Sequence, residues 1–195
     1  MSILSFVSSV GAAGSYPHLH WRDGLAEPCA DPNSGVYLVP AFQGLGAPHW
    51  DSEARAAILG LTRAATAADI VAAGLEAVAF QTRDLLDAMR KDMAQSSITN
   101  SASLRVDGGM TANAWFLQRL ADTLGERVEV ARYPETTALG AAFLAGQACG
   151  VYGGHDELQR AWVASRAFEP AMSEAEREAR YGGWRDALAR VRSRP

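Results

Sequence analysis

Apolar residues recur every three, four or seven positions along one stretch of the chain, which is the spacing of a helix with one buried face. The members of this stripe are Val71, Leu75, Val78, Leu85, Met89 and Met93. Thr66 and Asp69 precede most of it with the spacing of a capping box, a pair of side chains that satisfies the first backbone amides of a helix. The pattern predicts a helix of about 26 residues. We expect its charged positions to form the solvent-exposed face: Glu76, Arg83, Asp84, Asp87 and Arg90.

Shorter patterns predict strands that alternate with further helices. Residues 35–40, 103–106 and 127–130 carry the β-branched or alternating apolar residues typical of strands. One helix is predicted from about Asn113 to Leu124, ended by Gly125, and a helix of small residues from Thr136 or Thr137 to near Gly150. Strands alternating with helices indicate the α/β fold class.

The two ends of the chain differ in character. Residues 1–34 show neither helical nor strand periodicity, so we expect an irregular segment there and one domain over residues 35–195. Near the other end, Ser173 and Glu176 form a second capping box. An apolar stripe follows, which predicts an amphipathic helix packed back on the domain; its members are Tyr181, Trp184, Leu188 and Val191.

Composition excludes several classes of protein. The chain has 195 residues, of which 48% are hydrophobic and 21% charged, as in globular proteins. Its net charge of −4, without a basic block, argues against nucleic acid as a partner. No apolar run is long enough to span a membrane. Two cysteines are too few for a disulfide framework or a structural zinc site and fit a reducing compartment, so a cytoplasmic location is expected.

The turn Asp107–Gly108–Gly109 is the best candidate for a binding site. It follows a predicted strand and precedes a predicted helix, where free backbone amides and the helix dipole favour an anion. Glycines let a ligand approach the backbone closely, and the amide of Asn113 lies near enough in sequence to bond a nucleotide. A purely structural interpretation stays open, in which the glycines only permit a tight turn and Asn113 caps the helix.

Other polar motifs are weaker candidates. Thr136–Gly140 also opens a helix after a strand, but a threonine cap and close helix packing at Gly140 explain it. The glycine-rich run 43–48 matches neither nucleotide-binding glycine motif. His49 and Asp51 lack a third ligand nearby, and His18 with His20 fares no better. We assign no metal ligand and no catalytic residue.

Several longer motifs resemble a known family. They are the runs 35–51, 60–63, 75–84, 104–110 and 135–142 and the pattern ending at 181–184. Over about residues 35 to 190 they resemble, in register, the C-terminal domain of the FGGY carbohydrate kinases, and within them the glycerol kinases. The resemblance implies an actin-like, ribonuclease-H-like ATPase fold of two domains with ATP and Mg²⁺ in the cleft between them. It also implies transfer of the γ-phosphoryl group of ATP to glycerol. The family's nucleotide contacts fall on Gly109 and Asn113, beside Asp107 and Gly108.

The resemblance also implies what this chain lacks. The family's catalytic aspartate and polyol-binding side chains belong to the N-terminal domain and have no counterpart here. We therefore expect ATP or ADP to bind, glycerol to bind only together with that domain, and the chain alone to be inactive. The family's upstream glutamine motif corresponds to Leu19–Asp23 without the glutamine. Glu176 aligns with a regulator-docking glutamate, although its capping role accounts for it.

Two further interpretations stay open. The chain could belong to an FGGY kinase for another sugar or polyol, such as a pentulose, because the substrate pocket is not in this sequence. It could also be a non-catalytic remnant that serves binding or assembly. Assembly into a homo-oligomer is left open as well.

Overall fold

The structure is a computed structural model that describes residues 34–94, 103–133, 135–153 and 163–193. The predicted irregular segment 1–34 lies outside these residues except for Ser34. Strands and helices follow in the order β1 (Tyr37–Val39), β2 (Ala57–Leu59), α1 (Ala67–Ala94), β3 (Ser103–Val106), a 3₁₀ turn (Gly109–Ala112), α2 (Ala114–Leu124), β4 (Arg127–Ala131), α3 (Thr136–Ala148), β5 (Ala164–Phe168) and α4 (Glu174–Val191). The predicted α/β alternation is confirmed, whereas β2, β5 and the 3₁₀ turn were not predicted.

The strands form two separate sheets. β1 pairs antiparallel with β2. In the second sheet β4 lies in the middle, parallel to β3 and antiparallel to β5. Val106 at the end of β3 stands opposite Val130 near the end of β4, so the segments after both strands leave from one edge of this sheet. The carboxyl edge of parallel strands is where α/β proteins commonly bind ligands.

Helix α1 lies between two hydrophobic cores. One core joins β1, the following loop, α1 and α4, and contains Val39, Ala77, Phe80 and Trp184. The Phe80 and Trp184 rings stack with centroids 5.4 Å apart. The other core joins the opposite side of α1 to α2 and the β3–β4 sheet through Leu75, Ala79, Leu117 and Val128. Alanines on both faces of α1 let its neighbours approach closely, because a methyl group adds little width to the helix.

The sequence-based assignment of the faces of α1 is correct only for its first half. Leu75 is buried, but Leu85 and Met89 are 42% and 46% exposed. Glu76 and Asp84, expected on the solvent face, are buried instead. The reason is the second core: α4 covers this side of α1 and brings polar partners, which allow carboxylates to be buried.

The predicted helix ends are largely confirmed. Thr66 and Asp69 cap α1 reciprocally, with the Thr66 backbone amide 2.7 Å from an Asp69 carboxylate oxygen. Asn113 caps α2 by accepting a hydrogen bond from the Phe116 amide at 3.0 Å. Gly125 ends α2 in the left-handed conformation that glycine adopts readily. Ser173 caps α4 by accepting from the Glu176 amide, and the stripe of α4 is buried, with Trp184 only 1% exposed.

Helix α3 differs from its prediction in two ways. Its N-cap position is Glu135 rather than a threonine, and no side chain caps it. Gly140 is not a close-packing position, because a Cβ atom built there would meet no atom within 4 Å. None of the residues of α3, all of them described, is buried. The close packing predicted from the small residues is therefore absent.

Two buried carboxylates tie α4 to α1. Asp84 accepts hydrogen bonds from the Tyr181 hydroxyl at 2.5 Å, from Trp184 Nε1 at 2.9 Å and from His49 Nε2 at 3.3 Å. Burial and the adjacent Asp84 carboxylate raise the pKa of the Tyr181 phenol, so it remains a hydrogen-bond donor. One turn earlier along both helices, Arg180 lies 2.5 Å from Glu76. Burial still raises the pKa of Glu76, despite this arginine.

A surface contact anchors the residue after α4. The backbone amide and the hydroxyl of Ser193 each donate to the Asp51 carboxylate at 2.7 Å. The amide of Ala54 also donates to it, at 3.1 Å. These hydrogen bonds, those from Ser193 foremost, lower the pKa of Asp51 to about 2.

We predict that Asp84→Ala destabilises the protein by about 3 kcal/mol or more, because two buried donors lose their acceptor. The matched control is Asp87→Ala on the same helix, whose carboxylate makes only partly exposed ion pairs with Arg83 and Arg90. That change should cost about 1 kcal/mol or less. Chemical unfolding of both variants measures the difference, and equal losses would contradict the role given to Asp84.

We also predict a pH-dependent contribution from Asp51. Its folded-state pKa is about 2, below the value of about 3.9 expected when unfolded, so its stabilisation is complete above pH 4 and is lost as the pH falls towards 2. The stability difference between the parent and Asp51→Asn should therefore be largest at neutral pH and shrink below about pH 4. Urea unfolding at several pH values between 7 and 3 tests this, and a constant difference would disprove it.

Candidate functional site

The turn after β3 is built around two glycines with different conformations. Gly108 has φ 86° and ψ 179°, a backbone conformation that is strained for any residue with a Cβ atom. Its carbonyl oxygen accepts hydrogen bonds from both the amide and the hydroxyl of Thr111, at 3.1 Å and 2.7 Å. Gly108 thus starts the 3₁₀ turn, and its positive φ is required by the fold.

Gly109 has no such conformational requirement. Its φ is not positive, and a Cβ atom built on it would meet no protein atom within 4 Å. The residue is exposed, as is Asp107 before Gly108. A glycine with free space around it and no backbone strain is best explained by something outside the described residues that approaches this backbone.

The relation of the turn to α2 differs from the sequence-based prediction. The 3₁₀ turn Gly109–Ala112 separates the glycines from the helix, so they do not present the first amides of α2 to a ligand. Asn113, at the N-cap, already binds the Phe116 amide through Oδ1. The helix-dipole argument for an anion at Gly108 and Gly109 is therefore wrong, while close backbone approach and the Nδ2 atom of Asn113 remain available.

The parallel pairing of β3 and β4 brings the second candidate to the same edge. Thr136–Gly140 follows β4 as the glycine turn follows β3, and Val106 and Val130 are opposite one another in the sheet. Thr137 and Gly140 are exposed, and neither threonine caps the helix. The sequence predicted these two segments separately, and the structure places both after the carboxyl ends of neighbouring strands.

The weak metal candidates do not form a site. His49 points to Asp84, whereas Asp51 binds Ser193, so the two side chains have different partners. Over residues 34–94, 103–133, 135–153 and 163–193 no group of three or more histidine, cysteine or acidic residues could hold a metal ion. His18 and His20 lie outside the described residues.

A cavity that the sequence did not predict lies elsewhere, between α1, α4 and the loop before β2. Its volume is about 540 Å³. It is lined by residues of both charge signs, among them His49, Asp84, Lys91, Asp92, Arg185 and Arg192. The polar-tipped aromatic residues in the stripe of α4 were the only sequence signal for buried polar groups here, since Tyr181 and Trp184 need hydrogen-bond acceptors when buried.

The chain is similar to known kinases over most of its length. Residues 19–149 match the model of the FGGY family of carbohydrate kinases, C-terminal domain. A glycerol kinase of Alcanivorax borkumensis is 55% identical over 157 residues, which are 80% of this chain and 31% of that protein. A glycerol kinase of Brucella suis biovar 1 is 48% identical over all 195 residues, which are 36% of its length. The chain therefore spans about a third of these relatives.

Solved structures support the fold. The structure of Plasmodium falciparum glycerol kinase with ADP is 38% identical and matches with a TM-score of 0.70 over 81% of this chain and 31% of that one. A xylulose kinase of Rhodospirillum rubrum, 22% identical, matches with a TM-score of 0.71 over 96% of this chain and 36% of that one, which bears on the fold alone. The predicted actin-like α/β domain is thereby confirmed.

No described helix is both long and apolar enough to cross a membrane. The family match covers well over half of the chain, and the glycerol kinase relatives extend the similarity to all of it. The chain therefore belongs to the FGGY family of carbohydrate kinases and contains the C-terminal domain of that family.

Proposed function

We propose that this chain is the nucleotide-binding part of a glycerol kinase, which transfers the γ-phosphoryl group of ATP to glycerol. The observation that carries the proposal is the open backbone at Gly109, beside the fold-required Gly108, at the carboxyl edge of the parallel strand pair. The relatives named glycerol kinase, one of them with ADP in its structure, supply the chemical class of the ligand.

The geometry supports a nucleotide that lies against the turn. Gly109 gives a flat ring or a phosphate access to the main chain without a side chain in the way. Asn113 is half-buried, and because its Oδ1 is held by the Phe116 amide, its Nδ2 is the end that would donate to the nucleotide. Asp107 and Gly108 complete the turn on the strand side. The turn is exposed, so the other wall of such a site would come from outside the described residues.

Phosphoryl transfer requires more than this part supplies. It depends on a group that accepts the proton of the attacking hydroxyl, on a bound acceptor and on Mg²⁺ between the phosphate oxygens. The described residues provide no cluster of three metal ligands, and we assign no step to Mg²⁺ on this chain. The acceptor alcohol and the proton acceptor would come from the two thirds of the relatives that this chain does not cover, and the activity would be that of the longer, cytosolic protein.

Glycerol is preferred over a sugar as the acceptor of the whole enzyme because of the identity levels. The glycerol kinases are 48–55% identical to this chain, whereas the xylulose kinase is 22% identical. A non-catalytic binding module is the second candidate. It shares the nucleotide site and would differ only in what happens when the rest of the enzyme is supplied.

We predict that the purified chain shows no glycerol-dependent ATP turnover, because it contains no proton acceptor or alcohol pocket. A chimera in which this chain replaces the matched third of the Brucella suis glycerol kinase should turn over ATP with glycerol. A coupled assay of ADP release measures both proteins, with preparations from a host that lacks its own glycerol kinase. Turnover by the chain alone, or an inactive but folded chimera that binds ADP, would contradict the proposal.

We predict that Gly109→Val in the chimera weakens ADP binding more than tenfold, roughly, because the branched side chain would occupy the space left for the ligand. Since Gly109 has no positive φ and no close neighbour, the substitution should leave folding intact. The matched control is Gly46→Val, at a glycine with equally open surroundings in a loop of the other core. Isothermal titration with ADP gives the affinities, and unchanged binding by a folded Gly109→Val variant would remove the turn from the site.

Asn113 allows its two roles to be measured separately. Asn113→Ala should lose about 1–2 kcal/mol of ADP binding and also destabilise α2, because the cap is lost. Asn113→Asp keeps an oxygen for the Phe116 amide but has no Nδ2 donor. It should therefore melt like the parent and still bind ADP more weakly. Equal ADP affinity of Asn113→Asp and the parent would leave Asn113 as a cap only.

A further inference from the structure

Helix α3 and the residues after it form an apolar surface without charge. From Thr136 to Tyr152 the sequence contains no acidic or basic residue. None of the residues of α3 is buried, and Leu144 and Val151 are 66% and 69% exposed. We call the side chains of Leu139, Phe143, Leu144 and Val151 the α3 surface.

A helix of this composition is normally enclosed. Surface helices carry charged or polar residues on one face, whereas a helix that is apolar all round lies in the interior of a larger protein or in a membrane. The 13 residues of α3 are too few for a membrane span, which needs about 20. Enclosure by protein is the remaining arrangement that suits such a sequence.

The described residues cover only one side of α3. Tyr152 folds back so that its ring meets Phe143 edge to face, with centroids 5.2 Å apart. The ring also lies where a Cβ atom on Gly146 would be, at 2.5 Å, so glycine is needed at this position for the contact. Leu144 and Val151 stay uncovered by this contact.

Two kinds of polypeptide could cover the rest. A second copy of the chain would meet α3 through one self-complementary stripe and leave its other sides in water. A larger polypeptide could enclose several sides at once, as the all-round apolar sequence requires. The kinases similar to this chain are about three times as long, so most of such a protein lies outside this chain.

We propose that α3 is the docking element through which this chain joins the part of an FGGY kinase polypeptide that it does not cover. The docked part presents an apolar, uncharged groove to Leu144 and Val151. The proposal rests on the proposed function, since that function identifies the polypeptide that supplies the groove. The assignment concerns packing only, and no catalytic group of α3 is involved.

The test uses the remainder of the Brucella suis glycerol kinase, the part outside the matched 36%, co-expressed with the full chain under an affinity tag. The two polypeptides should purify as a one-to-one complex. The double variant Leu144→Glu with Val151→Glu should raise the dissociation constant at least about tenfold, because two carboxylates would have to enter an apolar interface. Both positions are exposed in this chain, so the variant should keep the parent's melting temperature.

The matched control is Leu61→Glu, which places the same charge on a leucine that is 53% exposed but lies in the loop before α1. It should bind the remainder as tightly as the parent. Cys149, an exposed thiol at the C-cap of α3, gives an independent readout. Its alkylation by a maleimide, followed by mass spectrometry, should slow at least about tenfold in the complex.

The outcomes separate the two proposals. No complex, or a complex weakened equally by the double variant and by Leu61→Glu, overturns the docking role of α3. A dimer of the chain alone that the double variant dissociates also overturns it, by assigning the surface to a second copy. A complex that depends on α3, combined with an inactive covalent chimera, supports docking and refutes the kinase function. An active chimera without any complex from separate polypeptides does the reverse.

Discussion

Helix α1 packs against β1 and α4 on one side and against α2 and the β3–β4 sheet on the other, so both cores depend on where it lies. Small residues make this possible, because Ala73, Ala77 and Ala79 allow neighbours to approach from two directions. The buried Asp84 carboxylate adds orientation to this packing: three donors from α4 and from the loop before β2 converge on it. A buried carboxylate is costly unless all of these donors are in place, so the network favours one rotation of α4 relative to α1. The nucleotide turn stands on the second core and inherits its position from α1.

Local features of the fold could be predicted from the sequence, and long-range ones could not. The caps at Thr66, Asn113 and Ser173 were predictable because the partners of a cap lie within three residues. The burial of Asp84 was not, since the partners Tyr181 and Trp184 are 97 and 100 residues away in sequence. β5 carries serine and arginine in its short run and shows no apolar alternation, so only its pairing with β4 reveals it as a strand. The same holds for the shared edge of β3 and β4, which joins two segments that the sequence presents independently.

The candidate site illustrates the same division between local and distant information. The motif Asp107–Gly109 was found from its residues, but the division of roles between its glycines required backbone angles. Gly108 is fixed by conformation, and Gly109 is free of both strain and neighbours. Helix α3 shows the opposite case, in which composition alone indicates an interior location that the described residues do not provide. Both features lie after the carboxyl edge of one parallel strand pair, and both direct attention to surfaces that a longer kinase polypeptide would meet.

Asn113 is a side chain with two polar ends, and only one of them is used within the described part of the fold. Its oxygen holds the first turn of α2 through the Phe116 amide, and its nitrogen is on the side of the glycine turn. A ligand that draws on the nitrogen would tighten the oxygen end as well, because hydrogen bonds through one amide polarise each other. Occupancy of the turn would then be communicated as reduced fraying of α2, and through Leu117 and Leu120 to the core shared with α1. Nucleotide affinity and the rigidity of this helix are thereby thermodynamically linked.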